Sequence, residues 1–497
     1  MSRLKLSGVS KAYGATVALS RGDLEIEAGE VHVLIGSNGS GKSTLSKIVA
    51  GSVRPDAGRM LLDEKPVDIS GPQAARALGI GIFYQELSLA AHRTVEENIC
   101  LPDLPRKAGF FVDRAALSRK AARYIAMFEG VAGEGFTAES TMEGLRADQR
   151  QLVEIMKALA SEARILIFDE PTSALDRSQV DRFFEILRRL KGEGRAVVFI
   201  SHRMDEIFAI GDRVTVIRDG RTVGTSRIPD TTPAAIIRLM VGEQEELVAT
   251  APAAVGIGET LLSVRDLAGP GFSHVGFEVG RGEILGLGGL HGQGQSSVLR
   301  AIFGALPPAS GEIALKGERL AAKTPRDAIR RGVAYVSGDR SRDGVIQGRS
   351  IIENLMPIHY LRGRQFIARP ADLYARAKPA VEALHTKLAH LGDSINALSG
   401  GNQQKIVIAR WLIDRPDVLL LDDPTKGIDL STKADLYALV RSLAANGLGI
   451  LLYSSEDAEL LANADRILVF NGGRVTRELA GAERTRYNLY QAAYEAA

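Results

Sequence analysis

The 497-residue chain repeats one set of motifs at a fixed distance. A glycine that opens a glycine-rich loop, a leucine that opens a short Gly/Ser/Gln-type motif and an aspartate that ends an apolar strand each recur 253 positions later (289 − 36 = 253). The pairs are Gly36 and Gly289, Leu145 and Leu398, and Asp169 and Asp422. A shared offset of this kind predicts two copies of one domain joined head to tail.

Composition limits what the two copies can be. Apolar residues make up 45% and charged residues 25% of the chain, which is an ordinary globular balance, and a net charge of +2 gives no case for nucleic-acid binding. The single cysteine, Cys100, excludes an internal disulfide and favours a reducing compartment. No apolar run reaches the ~18 residues of a membrane span, and the first residues have no signal-peptide pattern. We expect a soluble or peripheral protein on the cytosolic side.

The order of patterns predicts an α/β fold. Short apolar, β-branched runs at 31–36, 164–170 and 196–201 alternate with helical patterns, as in a buried parallel sheet. Apolar residues between Asp113 and Phe128 fall on one helical face, with Asp113 as the cap, and predict a helical lobe inserted in this core. We place the first domain at 1–245, a linker rich in Ala, Gly and Pro at 246–259, and the second domain at 260–497.

The glycine-rich loop of copy one, GSNGSGKS at 36–43, matches the phosphate-loop pattern in full, after a strand and before a helix. Its glycines let backbone N–H groups approach phosphate oxygens, and the helix N-terminus adds favourable charge. We expect Lys42 to bridge β- and γ-phosphates and the Ser43 hydroxyl to bind Mg²⁺. The residues predicted to hold the nucleotide here are Gly36, Ser37, Asn38, Gly39, Ser40, Gly41, Lys42, Ser43 and Thr44.

An acid pair ends the strand expected beside this loop. Asp169 is suited to hold Mg²⁺ through water, and Glu170 is suited to orient or deprotonate the attacking water. Gln85 and His202 are candidate site residues because of their order along the chain relative to the phosphate loop and the acid pair. A histidine at a strand end is nevertheless more often a structural cap. Tyr13 precedes the loop and is expected to stack on an adenine ring, with an ordinary packed tyrosine as the alternative.

The order of these motifs, from phosphate loop to glutamine, short signature, acid pair and histidine, resembles that of the nucleotide-binding domain of ABC transporters. The resemblance covers the whole chain and occurs twice. The family's Leu-Ser-Gly-Gly-Gln signature is matched by LSGGN at 398–402. The resemblance implies that two such domains pack head to tail and that each ATP lies between the phosphate loop of one domain and the signature of the other. It implies Glu170 as the catalytic carboxylate, His202 as the γ-phosphate contact, and Gln85 as a metal-site residue that links the site to a membrane partner. The signature residues carried over are Ser399, Gly400 and Gly401.

More narrowly, the chain is similar to the fused two-domain ATPase subunits of bacterial sugar importers of the ribose, galactose and xylose type. The resemblance rests on GGLHGQGQS, YVSGDRSRDG, LSGGNQQK, LDDPTKGID and YSSED in copy two. It implies permease subunits and a periplasmic or extracellular solute-binding protein as partners, no nucleic acid, and a peripheral place on the cytoplasmic side of the inner membrane. We expect a monosaccharide or polyol as the solute.

The two copies have lost different residues. In copy two, Gln295 stands for Lys42, Asp423 for the glutamate, Ser455 for the histidine and Gly338 for the glutamine. Copy one has instead lost its signature, since LRADQ at 145–149 puts Arg146 for the serine and Asp148 for a glycine.

If the loop of each copy is paired with the signature of the other copy, as the resemblance implies, nearly every loss falls in one of the two ATP sites. We therefore predict one ATP site that hydrolyses and a second that does so poorly if it binds nucleotide at all. Asp148 would repel a γ-phosphate, by roughly 4 kcal/mol at 4 Å and an effective dielectric of 20, and Arg146 would offset that repulsion.

Other functions remain open from sequence alone. Importers of nucleosides and autoinducers have similar ATPases. A soluble tandem ABC protein acting on ribosomes or nucleic acid is the next alternative, although such proteins carry a long basic linker and 247–259 is short and nearly uncharged.

Overall fold

The computed structural model of the protein describes most of the chain. Described residues are 4–14, 16–37, 39–83, 87–107, 110–201, 203–242, 258–362, 370–382, 390–426, 428 and 430–494. Three residues of the predicted site, Asn38, Gln85 and His202, lie outside this set.

Two compact units divide the chain, Met1–Gly242 and Glu243–Ala497. All but the last two positions of the predicted linker, 246–259, lie outside the described residues, so the linker stays a prediction. Across the part of the chain that the structure describes, no helix has both the length and the apolar character needed to cross a bilayer.

Unit one combines a large sheet with eight helices in its described residues. Its strands are β1 Leu4–Tyr13, β2 Thr16–Ile26, β3 Val31–Ile35, β4 Ala57–Leu62, β5 Lys65–Val67, β6 Ile80–Phe83, β7 Arg106–Lys107, β8 Phe111–Val112, β9 Ile165–Asp169, β10 Ala196–Ile200, β11 Arg213–Arg218 and β12 Arg221–Arg227. Its helices are α1 Lys42–Val49, α2 Pro72–Ala77, α3 Val95–Cys100, α4 Arg114–Ile125, α5 Ala147–Leu159, α6 Arg177–Gly192, α7 Met204–Ile210 and α8 Pro233–Val241.

Parallel strands at the centre of unit one create the edge on which the site is built. Within the order β5-β4-β1-β2-β12-β11-β3-β10-β9-β6, strands β11, β3, β10, β9 and β6 run parallel. Every residue of β3, β9 and β10 is buried, as expected for strands covered on both faces. Because parallel strands end at the same edge of a sheet, the segments after β3, β9 and β10 meet there.

The inserted helical lobe is present as predicted. Asp113 caps α4 by accepting a hydrogen bond from the backbone N–H of Ala116 at 3.0 Å. The buried face of this helix includes Leu117, Ala121 and Tyr124, and a single 3₁₀ turn continues to the buried Phe128. The helical period read from the sequence is therefore the one that packs.

Unit two repeats the arrangement. Its strands are β13 Thr260–Gly269, β14 Phe272–Gly280, β15 Ile284–Gly289, β16 Ser310–Leu315, β17 Glu318–Arg319, β18 Val333–Val336, β19 Val418–Asp422, β20 Gly449–Tyr453, β21 Arg466–Asn471 and β22 Arg474–Ala480. Its helices are α9 Gln295–Ile302, α10 Pro325–Arg331, α11 Ile351–Leu355, α12 Pro357–Arg362, α13 Pro370–Glu382, α14 Gly400–Leu412, α15 Leu430–Ala445, α16 Asp457–Asn463 and α17 Arg486–Tyr494.

Strand neighbours confirm the repeat and the α/β prediction. β15 lies between β20 and β21, all parallel, just as β3 lies between β10 and β11. The sheet order is β18-β19-β20-β15-β21-β22, and an antiparallel sheet, β14-β13-β16-β17, accompanies it. Both units therefore place a glycine-rich loop and an acid pair at the carboxyl ends of two parallel strands that are separated by one further parallel strand.

Candidate functional site

The loop between β3 and α1 depends on glycine at three points. Gly39 and Gly41 have φ angles of 75° and 107°, which strain any residue with a side chain. A Cβ on Gly36 would lie 2.2 Å from a backbone carbonyl oxygen of β11. The backbone N–H of Ser40 donates to the carbonyl of Ser37 at 3.1 Å and closes the turn. The backbone of this loop is therefore shaped as the phosphate-loop pattern requires.

Lys42 begins α1 as a buried cation. Its side chain donates to the carbonyls of Gly36 at 2.8 Å and Ser37 at 2.9 Å, and the residue is only 8% exposed. Burial lowers the pKa of its ammonium, and the nearby carboxylates of Glu170 and Asp169 counter part of that effect. A phosphate in the loop would give this charge a second anionic neighbour.

Ser43 and Asp169 provide the oxygen ligands that Mg²⁺ prefers. The Ser43 side chain lies close enough to Asp169 to lower the pKa of that carboxyl, and Thr44 follows in the first turn of α1. Burial, and then the neighbouring Glu170, raise the pKa of the Asp169 carboxyl. Two adjoining acids held in this way favour a cation, so the donors of copy one fit Mg²⁺. Among the described residues, no group of three or more His, Cys, Asp or Glu side chains could hold a metal alone.

Glu170 follows β9 in an unusual backbone conformation. Its φ angle is 51°, and its N–H donates to the carbonyl of Ile200, the last residue of β10, at 3.0 Å. Asp423 of copy two has the same conformation, with φ 54° and a matching bond to Tyr453 at 2.9 Å. A non-glycine residue here costs about 1–3 kcal/mol and often marks a functional site. Both copies therefore have the same uncommon backbone conformation at the second acid of the pair.

Tyr13, the residue proposed to stack on adenine, lies at the end of β1. It is 49% exposed, and the ammonium of Lys11 lies 5.8 Å from the centre of its ring. An exposed ring of this kind is free to stack, so the adenine contact stays a prediction. The proposed roles of Asn38, Gln85 and His202 also stay predictions, because these residues lie outside the described set.

Sequence reasoning missed Glu206, a buried carboxylate that ties two strand ends together. It accepts hydrogen bonds from Thr172 at 2.9 Å and from Ser201 at 2.7 Å, so it joins the segments after β9 and β10. Glu459 does the same in copy two, accepting from a threonine at 2.7 Å and a serine at 2.5 Å. All three pairs of residues share the 253-position offset, which was the signal available in the sequence.

The signature of copy two forms an open helix start. Ser399 is the N-cap residue of α14, is exposed, and makes no capping bond with its side chain. Gly400 follows in the first turn, and a Cβ on Gly401 would lie 2.3 Å from the Thr432 side chain. The helix N-terminus therefore presents N–H groups and a hydroxyl to an anion, and only glycine fits beside Thr432.

The altered signature of copy one is closed on itself. Arg146 donates to both oxygens of Asp148, at 3.0 and 2.9 Å, as expected, and Gln179 donates to the same carboxylate at 3.1 Å. Asp148 and Gln179 occupy the positions of Gly401 and Thr432, so the two positions differ together between copies. The carboxylate is thus bound by the protein's own donors.

The loop of copy two keeps the turn and loses the charge. Gly292 and Gly294 have φ angles of 80° and 102°, close to those of copy one. Gln295 takes the place of the lysine and donates to the carbonyls of Gly288 and Leu290, each at 3.1 Å. A neutral amide therefore fills the position at which copy one holds its buried cation.

Two further departures in copy two have physical causes. Asp423 accepts hydrogen bonds from the backbone N–H of Ser455 at 3.0 Å and from its hydroxyl at 3.1 Å. A Cβ on Gly338 would lie 2.8 Å from the carbonyl oxygen of Asp422 and 3.1 Å from the Asp423 Cβ, so a glutamine there would be crowded. The acid and the glycine are both fitted to this altered strand end.

Comparison with known proteins gives the same repeat. The family model described as ABC transporter matches residues 19–173 and again 272–426, two segments that share the 253-position offset. A ribose import ATP-binding protein of Rubrobacter xylanophilus is 44% identical over 97% of this chain and 96% of its own length. A ribose import ATP-binding protein of Rhizobium johnstonii is 40% identical over 98% of this chain and 96% of its own.

Among solved structures, the chain is similar to a nucleotide-free ATP-binding cassette from an ABC transporter. The two are 22% identical, with a TM-score of 0.41, and the match covers 49% of this chain and 100% of that one. Two family matches and relatives of this length, together with the two loops and acid pairs described above, place the chain. It belongs to the ABC transporter family.

Proposed function

We propose that the chain is the ATPase subunit that energises import of a monosaccharide or related polyol through a partner permease, with one competent ATP site per chain. The observation that carries the one-site proposal is the complementary loss in the two copies. Copy one keeps the lysine, serine and acid pair around its loop, and copy two keeps the open Ser-Gly-Gly helix start.

The competent site combines parts of both copies. In this proposal the loop at 36–44 holds the triphosphate, and Ser399, Gly400 and Gly401 cap its γ-phosphate. The exposed and uncapped start of α14 supports this role, because it supplies donors without a competing internal acceptor. The corresponding segment of copy one, with Asp148 bound by Arg146 and Gln179, offers no such surface.

We assign each side chain of the proposed site a part in hydrolysis. Lys42 neutralises β- and γ-phosphate oxygens, and Ser43 and Asp169 would hold Mg²⁺, which supplies further positive charge to those oxygens. Glu170 orients and deprotonates the attacking water, while His202 contacts the γ-phosphate. Glu206 positions the segments that carry Glu170 and His202.

The second proposed site, which pairs the loop of copy two with the signature of copy one, lacks these catalytic groups. Gln295 supplies no charge, Asp423 is one methylene shorter than a glutamate and is held by Ser455, and Asp148 adds a carboxylate near the γ-phosphate position. Loss of a charge-assisted hydrogen bond alone costs about 1.5–3 kcal/mol. Hydrolysis there is expected to be slow even where nucleotide binds.

A surface cleft in unit one supports a partner beside the site. Its volume is about 290 Å³, and its lining includes Ile82 on β6 together with Ser88, Glu154 and Lys157. Gln85 lies between the two lining segments in sequence. A permease element in this cleft would contact Ile82 and Ser88, which flank Gln85 in the sequence, and we propose this as the route by which transport and hydrolysis are coupled.

The proposed solute and location follow from relatives of nearly full length that are named as ribose import ATP-binding proteins. A pentose or a related monosaccharide or polyol is the class we propose. Membrane permease subunits and a periplasmic or extracellular solute-binding protein are the proposed partners, with this chain on the cytoplasmic face of the membrane.

The test is a comparison of two acid variants in the transporter assembled in lipid vesicles. Glu170→Gln should lower ATP turnover about 10²–10⁴-fold, the usual worth of a general base. Asp423→Asn, the matched change in copy two, should alter turnover by about twofold or less. Equal losses in the two variants would refute the one-site proposal, and turnover that the solute-binding protein does not stimulate would refute the importer proposal.

A further inference from the structure

The acid of copy two that matches Asp169 is already enclosed by protein donors. Asp422 ends β19 and is only 4% exposed. One of its oxygens accepts a hydrogen bond from Ser296 at 2.5 Å, and the other accepts one from the hydroxyl of Tyr335 at 2.6 Å. The guanidinium of Arg300 lies 3.9 Å from that second oxygen. Both carboxylate oxygens therefore have a hydrogen-bond donor, and one of them also has a cationic neighbour.

The arrangement differs from copy one at two positions. A Ser–Asp interaction is common to both copies, since the Ser43 side chain also acts on the Asp169 carboxyl. Tyr335 is matched by Ile82, which cannot donate a hydrogen bond, and Arg300 is matched by Lys47. Among the described residues, therefore, this tyrosine hydroxyl is a feature of copy two, where it binds the second oxygen of the aspartate.

Tyr335 is held in this position by its surroundings. Its ring stacks on Phe303 with centroids 5.0 Å apart and an interplanar angle of 20°. Copy one has Ala50 at the position of Phe303, so the ring and its support differ together. The Tyr335 hydroxyl also lies close enough to Arg300 to raise the pKa of its guanidinium, which links the cation to the same group.

These contacts do not fit Mg²⁺. Mg²⁺ requires near-octahedral oxygen ligands at 2.0–2.1 Å and gives up its own water reluctantly. To approach Asp422, a hydrated ion would have to displace the Tyr335 hydroxyl, a group that Ile82 does not provide in copy one. The adjoining Asp423 is likewise engaged, by the N–H and hydroxyl of Ser455.

We propose that the phosphate loop of copy two works without Mg²⁺, because Tyr335 and Arg300 satisfy Asp422 in place of the cation. The inference rests on the proposed function only in treating copy one as the Mg²⁺ site. Copy two is then a permanently metal-free partner to a metal-dependent site in the same chain.

The experiment counts bound Mn²⁺, a paramagnetic substitute for Mg²⁺, by electron paramagnetic resonance on the full chain with saturating ATP. The wild type should bind one nucleotide-dependent Mn²⁺ per chain. Asp169→Asn should abolish that signal, and the matched Asp422→Asn should leave it unchanged. A second ion in the wild type that Asp422→Asn removes would overturn the inference. No ion in the wild type would overturn the proposed competent site while leaving copy two metal-free.

A reciprocal exchange tests the cause. Ile82→Tyr, in copy one, introduces the blocking hydroxyl next to the small Ala50 and should weaken Mn²⁺ binding at least tenfold, with the thermal midpoint of the apoprotein unchanged. Ile82→Phe has the same bulk without the hydroxyl and should weaken binding less. Equal effects of the two variants would assign the loss to bulk and overturn the role given to the hydroxyl. If Ile82→Tyr fails to fold, the two aspartate variants still decide the proposal.

Discussion

Lys42→Gln tests the role of charge in the phosphate loop, because it introduces the residue that copy two has at the matching position, Gln295. Lys42 donates to the carbonyls of Gly36 and Ser37 at 2.8 and 2.9 Å, and Gln295 donates to those of Gly288, in β15, and Leu290 at 3.1 Å each. Glutamine at this position can therefore make two hydrogen bonds within the protein, one of them to the carbonyl that matches that of Ser37. The substitution removes the charge and leaves the loop supported.

The magnitude follows from that difference. Loss of one charge-assisted hydrogen bond to phosphate costs about 1.5–3 kcal/mol. Each 1.36 kcal/mol is a factor of ten in rate, so turnover divided by KM for MgATP should fall about 10- to 160-fold. Burial already lowers the pKa of Lys42, so removing its charge relieves a desolvation cost in the apoprotein. The thermal midpoint without nucleotide should not fall.

The assay measures turnover and KM for MgATP in the assembled transporter, together with thermal unfolding of the isolated chain. Gln295→Lys is the matched control in copy two. It should change turnover by about twofold or less, because the acid and signature of that pairing remain altered. A Lys42→Gln protein with wild-type turnover, or a Gln295→Lys protein that doubles the number of hydrolysing sites, would refute the reasoning.

Three further substitutions have defined outcomes. Asp169→Asn should abolish turnover yet stabilise the apoprotein near pH 7. The pKa of this acid is raised in the folded state, so its ionisation lowers the stability of the wild type as the pH rises above the ordinary value of 3.8. Urea unfolding that gives the same pH dependence of stability for the wild type and the variant would contradict this. Glu206→Leu leaves two buried hydroxyls without an acceptor and should cost about 1–3 kcal/mol in urea unfolding, whereas Glu206→Gln should cost less. Gly401→Asp crowds Thr432 and adds a charge, so turnover should fall at least about 100-fold; recovery on adding Thr432→Ala would show that crowding alone was responsible.

The sequence could predict the strands and loops because their signals are local. The apolar runs that became β3, β9 and β10, and the capped helix after Asp113, follow from burial period and capping alone. The 253-position offset then transfers each element of one copy to the other. The left-handed glycines at Gly39 and Gly292 follow from the same pattern.

The causes of the departures in copy two depend on neighbours that are distant in sequence. Tyr335 reaches Asp422 because β18 pairs with β19 in a register that sets Tyr335 opposite Leu420, two residues before the acid. Gly338 was recognised as a lost glutamine, whereas the crowding against Asp422 appears only when β18 and β19 lie side by side. Strand register of this kind is not carried by composition or spacing.

Orthovanadate trapping tests the central claim most directly, which is that the loop at 36–44 and the signature at 398–402 hold the same triphosphate. Vanadate trapped with ADP at a hydrolysing site cleaves the adjacent backbone on ultraviolet irradiation, and mass spectrometry locates the cuts. The account predicts cuts within 36–44 and within 398–402, both abolished by Glu170→Gln. Cuts within 289–296 or 145–149 would contradict it.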